Sequence, residues 1–163
     1  MGQGTMDVSF YDLGVDPGLV RTLEKQGITE PFEVQREAIP DSMLGHDICC
    51  RAPTGSGKTL AFGLPLISRT PRADPEFPTA LILSPTRELA EQICSVLTPL
   101  AATFDLEVLP IYGGVPYGRQ RKALSRGVDI VVACPGRLED LIQQKEISLA
   151  DVDMAVSYTH LTL

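Results

Sequence analysis

The chain has 163 residues, enough for one domain with a substantial core. Hydrophobic residues make up 44% and charged residues 21%, as in an ordinary globular protein. The net charge of −7 is the wrong sign for a protein that coats nucleic acid electrostatically, although single arginines and helix ends still suffice for a few phosphate contacts. Without a membrane-length apolar run or a visible signal peptide, we expect a cytoplasmic protein with no membrane partner.

The predicted elements alternate along the chain. Residues 1–6 are rich in glycine and polar side chains, and we expect them to be disordered. Asp16 and Pro17 are typical of a helix cap and first turn, and Gly27 of a helix end. A second helix is predicted at 34–43. The remaining predictions are strands at 47–51, 79–83, 106–111, 129–133 and 152–156, and helices at 60–67, 85–100, 117–126 and 138–144.

Strands that alternate with helices, and that are almost continuously apolar, indicate an α/β fold with a parallel sheet. Helices should then cover both faces of that sheet. In this architecture ligands bind at the carboxyl ends of the strands, where the following loops gather.

One stretch between the first predicted strand and the next helix has the form of a phosphate-binding loop. Its glycines allow a tight turn that points backbone N–H groups at phosphates, and the helix adds its positive end. Lys58 would reach the β- and γ-phosphates, and the Thr59 hydroxyl would bind Mg²⁺. A plain Gly/Ser surface turn is the alternative. The stretch reads Ala52-Pro53-Thr54-Gly55-Ser56-Gly57-Lys58-Thr59.

Three turns follow the next three predicted strands and should lie on the same edge of the sheet. Taken singly, each is typical of a strand exit, with a solvated arginine in two of them. Together they can present N–H groups and two guanidinium groups to anions, which favours a track for a phosphodiester backbone. The turns are Ser84-Pro85-Thr86-Arg87, Gly113-Gly114 and Cys134-Pro135-Gly136-Arg137.

The four cysteines, Cys49, Cys50, Cys94 and Cys134, show no C-x-x-C spacing. Each falls in an apolar stretch predicted as strand or helix. We therefore expect buried, reduced thiols rather than a metal site.

With these motifs, the chain resembles the DEAD-box ATP-dependent RNA helicases, specifically the first of their two RecA-like domains. The resemblance runs from about residue 10 to residue 156. The family's Q motif is similar to residues 27–35, and the resemblance implies that Gln35 hydrogen-bonds adenine while Phe10 stacks on the base. Ile28 and Phe32 depart from the residues that the family more often has. We expect the tip of Gln35 to be exposed.

The other family motifs occur in order. Residues 52–59 match motif I and residues 85–90 are identical to motif Ia, whereas Cys134 replaces the usual Thr of motif Ib. The resemblance implies a P-loop NTPase fold of the RecA type that uses ATP and Mg²⁺, with Lys58 and Thr59 as catalytic residues. It implies RNA binding through Pro85, Thr86, Arg87, Gly113, Gly114, Pro135, Gly136 and Arg137.

The pattern stops after Val156, where the family continues into Asp-Glu-Ala-Asp. We therefore expect a partial RecA-like domain at 7–156 and a foreign tail at 157–163, arising from a truncated or frame-shifted gene or a cloning junction. A short paralogue that has lost catalysis is the alternative. The second RecA-like domain is missing from this chain, which alone should bind ATP weakly and hydrolyse it negligibly.

Three functions remain open on these residues. The first is the ATP-binding part of an RNA-dependent ATPase that unwinds RNA duplexes. The second is a catalytically inactive domain that binds RNA or a protein partner. The third is another P-loop enzyme, such as a small kinase or GTPase, which leaves Gln35 and the motif at 85–90 unexplained.

Overall fold

The structure, a computed structural model, describes residues 8–31, 35–36, 39 and 58–157. The predicted strand at 47–51 lies outside the described residues. So does most of the predicted helix at 34–43, of which Gln35, Arg36 and Ile39 are described and helical.

Helices and strands alternate through the described part of the chain, as the sequence predicts. The first helix begins after Asp16, whose Oδ1 atom accepts the Gly18 N–H at 2.7 Å, and Gly27 follows its end with a φ of +79°. The elements are α1 Pro17–Lys25, α2 Lys58–Arg69, β1 Ala80–Leu83, α3 Arg87–Ala102, β2 Val108–Ile111, α4 Tyr117–Arg126, β3 Ile130–Ala133, α5 Pro135–Gln143 and β4 Met154–Ser157.

The four described strands form one parallel sheet in the order β2-β3-β1-β4. Leu81 of β1 lies opposite Val131 of β3 on one side and Ala155 of β4 on the other. Ser157, the first residue of the predicted tail, pairs with Leu83 as the last residue of β4.

Helices cover both faces of the sheet, and the prediction of this fold class is confirmed. Alternate strand residues belong to two separate cores because successive side chains of a strand point to opposite faces. Ile82 and Val132 pack in the larger core with α1, α2 and α3. Leu81 and Val131 pack in the smaller core with α4 and α5.

Two helices next to the predicted phosphate track begin at other residues than predicted. Helix α3 begins two residues later because Thr86 is its N-cap, and the Thr86 Oγ1 atom accepts the Leu89 N–H at 3.2 Å. Helix α5 begins three residues earlier because Pro135 occupies its first position, where a missing N–H costs nothing.

The thiol prediction is correct for Cys94, which is buried and unpaired. Cys134 is also a free thiol, but it is only half-buried because it lies beyond β3 as the N-cap of α5. Within the described ranges, no group of three His, Cys, Asp or Glu side chains is placed to hold a metal ion. Nor does any helix of those ranges have the length and apolarity needed to cross a membrane.

Candidate nucleic-acid interface

The carboxyl ends of β1, β2 and β3 lie side by side. The Ser84 N–H donates to the Ala133 carbonyl at 2.9 Å, and the Cys134 N–H donates to the Ile111 carbonyl at 2.8 Å. These bonds bring the three turns that follow the strands to one edge of the sheet. We call this edge the rim, and it consists of residues 84–87, 113–114 and 134–137.

The rim contains all eight residues predicted to bind RNA. Seven of the eight are exposed, and Arg137 alone is half-buried. The exposed residues are Pro85, Thr86, Arg87, Gly113, Gly114, Pro135 and Gly136.

Arg87 is held at the surface by two neighbours. Its guanidinium carbon lies 4.7 Å from the centre of the Tyr112 ring, and its Nε atom lies 4.0 Å from Oε1 of Glu91. The Tyr112 hydroxyl donates to the same Glu91 oxygen at 2.5 Å. That hydrogen bond is the main reason that the pKa of Tyr112 is raised. The contacts orient the Arg87 guanidinium while leaving it in solvent.

Gly114 makes room for this arginine. Its φ of +86° lies in the region that favours glycine, and a Cβ atom there would lie 3.4 Å from Nη1 of Arg87. The glycine doublet and the arginine of the neighbouring turn therefore form one surface.

Arg137 makes stronger contacts within the protein than Arg87 does. Its Nη1 atom donates to the Val115 carbonyl at 2.9 Å and to Oε1 of Gln120 at 3.0 Å. Its guanidinium carbon lies 3.8 Å from the centre of the Tyr117 ring. Gln120 is 3% exposed, and its Nε2 atom donates to the Tyr112 carbonyl at 3.1 Å. These bonds join α5, α4 and the loop after β2.

Gln120, Tyr112 and Tyr117 belong to no motif, and their part in the rim was not predicted from the sequence. A signal for Gln120 is present, because Gln120 and Leu124 are four residues apart and so share one face of α4. A glutamine on the apolar face of an otherwise polar helix indicates a buried hydrogen-bonding role.

Cys134 provides no side-chain hydrogen bond to the start of α5. Burial, and to a smaller extent the Glu88 carboxylate, raise the pKa of its thiol. The thiol therefore stays neutral at physiological pH and adds no charge to the rim.

The predicted nucleotide site is described only in part. Lys58 and Thr59 are the first residues of α2, and Thr59 is half-buried, whereas residues 52–57 lie outside the described part of the chain. The expectation that Gln35 is exposed was wrong, because this side chain is fully buried. Phe10 is 1% exposed and belongs to the larger core, so base stacking would require its ring to leave part of that packing. The adenine contacts of both residues stay predictions.

A parallel sheet with helices on both faces, in which a phosphate-loop sequence leads directly into a helix, is the fold of P-loop nucleotide-binding domains. The family model described as DEAD/DEAH box helicase matches residues 32–157. The chain belongs to this family.

Similar proteins agree with this assignment. The chain is 44% identical over 157 residues to the DEAD-box ATP-dependent RNA helicase 3B, chloroplastic, of Zea mays. It is 41% identical over 153 residues to the RNA helicase CrhR of Synechocystis. The fold matches a crystal structure of the RNA helicase Prp28 from Chaetomium thermophilum bound to ADP, with a TM-score of 0.81 and 37% identity. The RecA-like fold expected from the sequence is thereby confirmed.

This chain spans only a minor part of these relatives. The alignments cover 92% of this chain but 21% of the maize protein, and 93% of this chain but 30% of CrhR. The match to Prp28 covers 91% of this chain and 37% of that one.

Proposed function

We propose that this chain is the ATP-binding, RNA-contacting part of an ATP-dependent RNA helicase that unwinds or remodels RNA duplexes. The observation that carries the proposal is the rim, where three strand exits of a RecA-like sheet present one surface to solvent. Relatives that are 37% to 44% identical to this chain over about nine-tenths of its length are named ATP-dependent RNA helicases, which supports the same function.

The nucleotide in this proposal is ATP, and its phosphates are held by the loop at 52–59. Helix α2 is described from Lys58 onwards, directly after the loop, and the hydroxyl of the half-buried residue Thr59 suits a Mg²⁺ ion beside the phosphates. Lys58 stabilises the charge of the γ-phosphoryl group while water attacks it in line. Mg²⁺ held by Thr59 would neutralise phosphate charge. Gln35 selects adenine, and Phe10 contacts the base.

RNA lies along the rim in this proposal and is bound through its phosphates, so it is bound with little sequence preference. A second RecA-like domain, outside this chain, closes on ATP and RNA. We further propose a cytoplasmic protein without a membrane partner, although some relatives are named chloroplastic or mitochondrial.

Titrations of this chain with a fluorescent ATP analogue and with a short labelled RNA test both halves of the proposal. We expect Lys58→Ala to weaken ATP binding about tenfold or more, because it removes a charged donor to phosphate. Arg87→Ala should weaken RNA binding and leave ATP binding unchanged. The matched control is Arg72→Ala, whose exposed ion pair with Asp105 lies at the amino ends of the strands.

Three outcomes would contradict the proposal. GTP binding as tight as ATP binding would favour another P-loop enzyme, and absence of RNA binding would remove the RNA half. For the whole helicase, duplex separation on a gel is measured with a protein that also carries the second domain. Separation that persists in Lys58→Ala would exclude the proposed role of ATP.

A further inference from the structure

The loop between β2 and α4 is held by side-chain hydrogen bonds on both sides of its glycine doublet. The Tyr112 carbonyl accepts a hydrogen bond from Gln120, and the Val115 carbonyl accepts one from Arg137. Between these two carbonyls, Gly113 and Gly114 are exposed. No side chain of their own restrains the doublet, so its shape depends on the two flanking bonds.

Gln120 links the two hydrogen bonds that hold this loop. Its Nε2 atom donates to Tyr112, and its Oε1 atom accepts from Nη1 of Arg137 at 3.0 Å. The side chain is 3% exposed, so water is a poor substitute for either partner. Loss of one of these bonds therefore disturbs the other.

Arg137 and Arg87 differ in how far their guanidinium groups are free to bind a ligand. Arg137 is half-buried, the two hydrogens of its Nη1 atom are donated to Val115 and Gln120, and its guanidinium plane stacks on Tyr117. Arg87 is exposed, and its ion pair with Glu91 is long, at 4.0 Å. Of these two rim arginines, Arg87 is thus the one placed to reach a phosphate.

We propose that Gln120 and Arg137 are positioning residues for RNA binding, which rests on the proposed function of the rim. Arg137 acts through its bonds to the loop after β2 and not as a phosphate ligand. Together with Gln120 it holds the Gly113-Gly114 backbone in the shape that contacts the sugar-phosphate chain, next to Arg87. A lysine cannot replace it, because an ammonium group has no planar fork that bonds two acceptors while stacking on a ring.

The test is a double-mutant cycle measured by fluorescence anisotropy, with a short fluorescein-labelled oligouridylate as the probe. Gln120→Met keeps the length of the side chain and removes both hydrogen bonds, and Arg137→Lys keeps the charge. We expect each variant to weaken RNA binding about fivefold or more, and the double variant to bind no more weakly than the worse single variant. Arg126→Lys, at an exposed arginine of α4, is the matched control and should bind like the wild type.

A second readout separates positioning from a general loss of folded protein. Affinity for a fluorescent ATP analogue should be unchanged in all variants, whereas unfolding would lower ATP and RNA binding together. Wild-type RNA affinity in Arg137→Lys or Gln120→Met would overturn the proposal, as would a double variant whose loss equals the product of the two single losses. If Arg87→Ala weakens RNA binding in the same series, either of these results overturns only the positioning role of Gln120 and Arg137, and the proposed RNA binding by the rim stands. Absence of RNA binding by the wild type overturns the proposed RNA function as well.

Discussion

Cys94 lies in the larger core on α3, one turn after Glu91. Burial, with a smaller contribution from the Glu91 carboxylate, raises the pKa of its thiol from 9.0 to about 12. In the unfolded chain the thiol ionises above pH 9.0, whereas in the folded chain it stays neutral until about pH 12. Its contribution to stability is therefore complete below pH 9.0 and is lost as the pH rises from there towards 12.

This predicts a pH-dependent difference between the wild type and Cys94→Ala. The free energy of unfolding of the wild type should fall by about 1.4 kcal/mol more than that of the variant between pH 7 and pH 10, by the linkage relation. Urea denaturation of both proteins at the two pH values measures it. At pH 7 the difference in unfolding free energy between the two proteins reports the packing that the variant loses. The same difference at pH 10 would show that the Cys94 thiol is not protected from ionisation.

The residues of the rim show which part of a site the sequence can specify. The turn sequences predict that Arg87 and Arg137 follow parallel strands and lie at the same edge of the sheet. In the structure both lie at that edge. Their different environments depend on Tyr112, Tyr117 and Gln120, none of which belongs to a motif, although the position of Gln120 on the apolar face of α4 indicates that it is buried. Side-chain contacts between elements far apart in the chain were outside the reach of spacing arguments.

Helices α2 and α3 pack tightly against each other at Gly63. A Cβ atom at this position would clash with Cδ2 of Leu97, whose side chain is fully buried. Glycine normally weakens a helix, so its place here is explained by the packing of the two helices.

We expect Gly63→Ala to lower the free energy of unfolding by about 1–3 kcal/mol, because the added methyl group overpacks the core. In a Leu97→Ala background the same change should be neutral or stabilising, since the clash is gone and alanine favours the helix. Gly118→Ala in α4 is the control: apart from its chain neighbours and its own helix backbone, no atom lies within 4 Å of its Cβ position, and it should not destabilise. Equal costs of Gly63→Ala in both backgrounds, measured by chemical denaturation, would contradict this packing account.

The predicted element boundaries were most accurate where local chemistry sets them. Helix α4 has the predicted bounds at 117–126, and α1 begins at the predicted Asp16 cap. Helix α5 was predicted too short because Pro135 was assigned to a strand exit, although proline also suits the first position of a helix. Helix α3 was predicted to start at 85, two residues before the start that its Thr86 N-cap sets.

On the scale of the whole molecule, the alternation of strands and helices predicted the parallel sheet and its two covered faces. The burial of Gln35 and Phe10 was not predictable in the same way. A motif indicates a contact with a ligand, but it does not say whether the side chain is also enclosed by the protein before the ligand binds. In the structure, Gln35 is fully buried and Phe10 is 1% exposed.

The charge of the whole chain gives a prediction about salt. With a net charge of −7, the proposed RNA binding depends on Arg87 and on the N–H groups of the rim rather than on a basic surface. For single strands, each neutralised phosphate adds about −0.7 to the slope of log affinity against log salt concentration. We expect a slope between about −1 and −2 for this chain, measured by anisotropy with a short single-stranded RNA.

In Arg87→Ala the slope should become shallower by about 0.7, because one charged contact is lost. A slope steeper than about −4 would require a larger basic surface than the rim provides, and the RNA site would have to be sought elsewhere on the molecule.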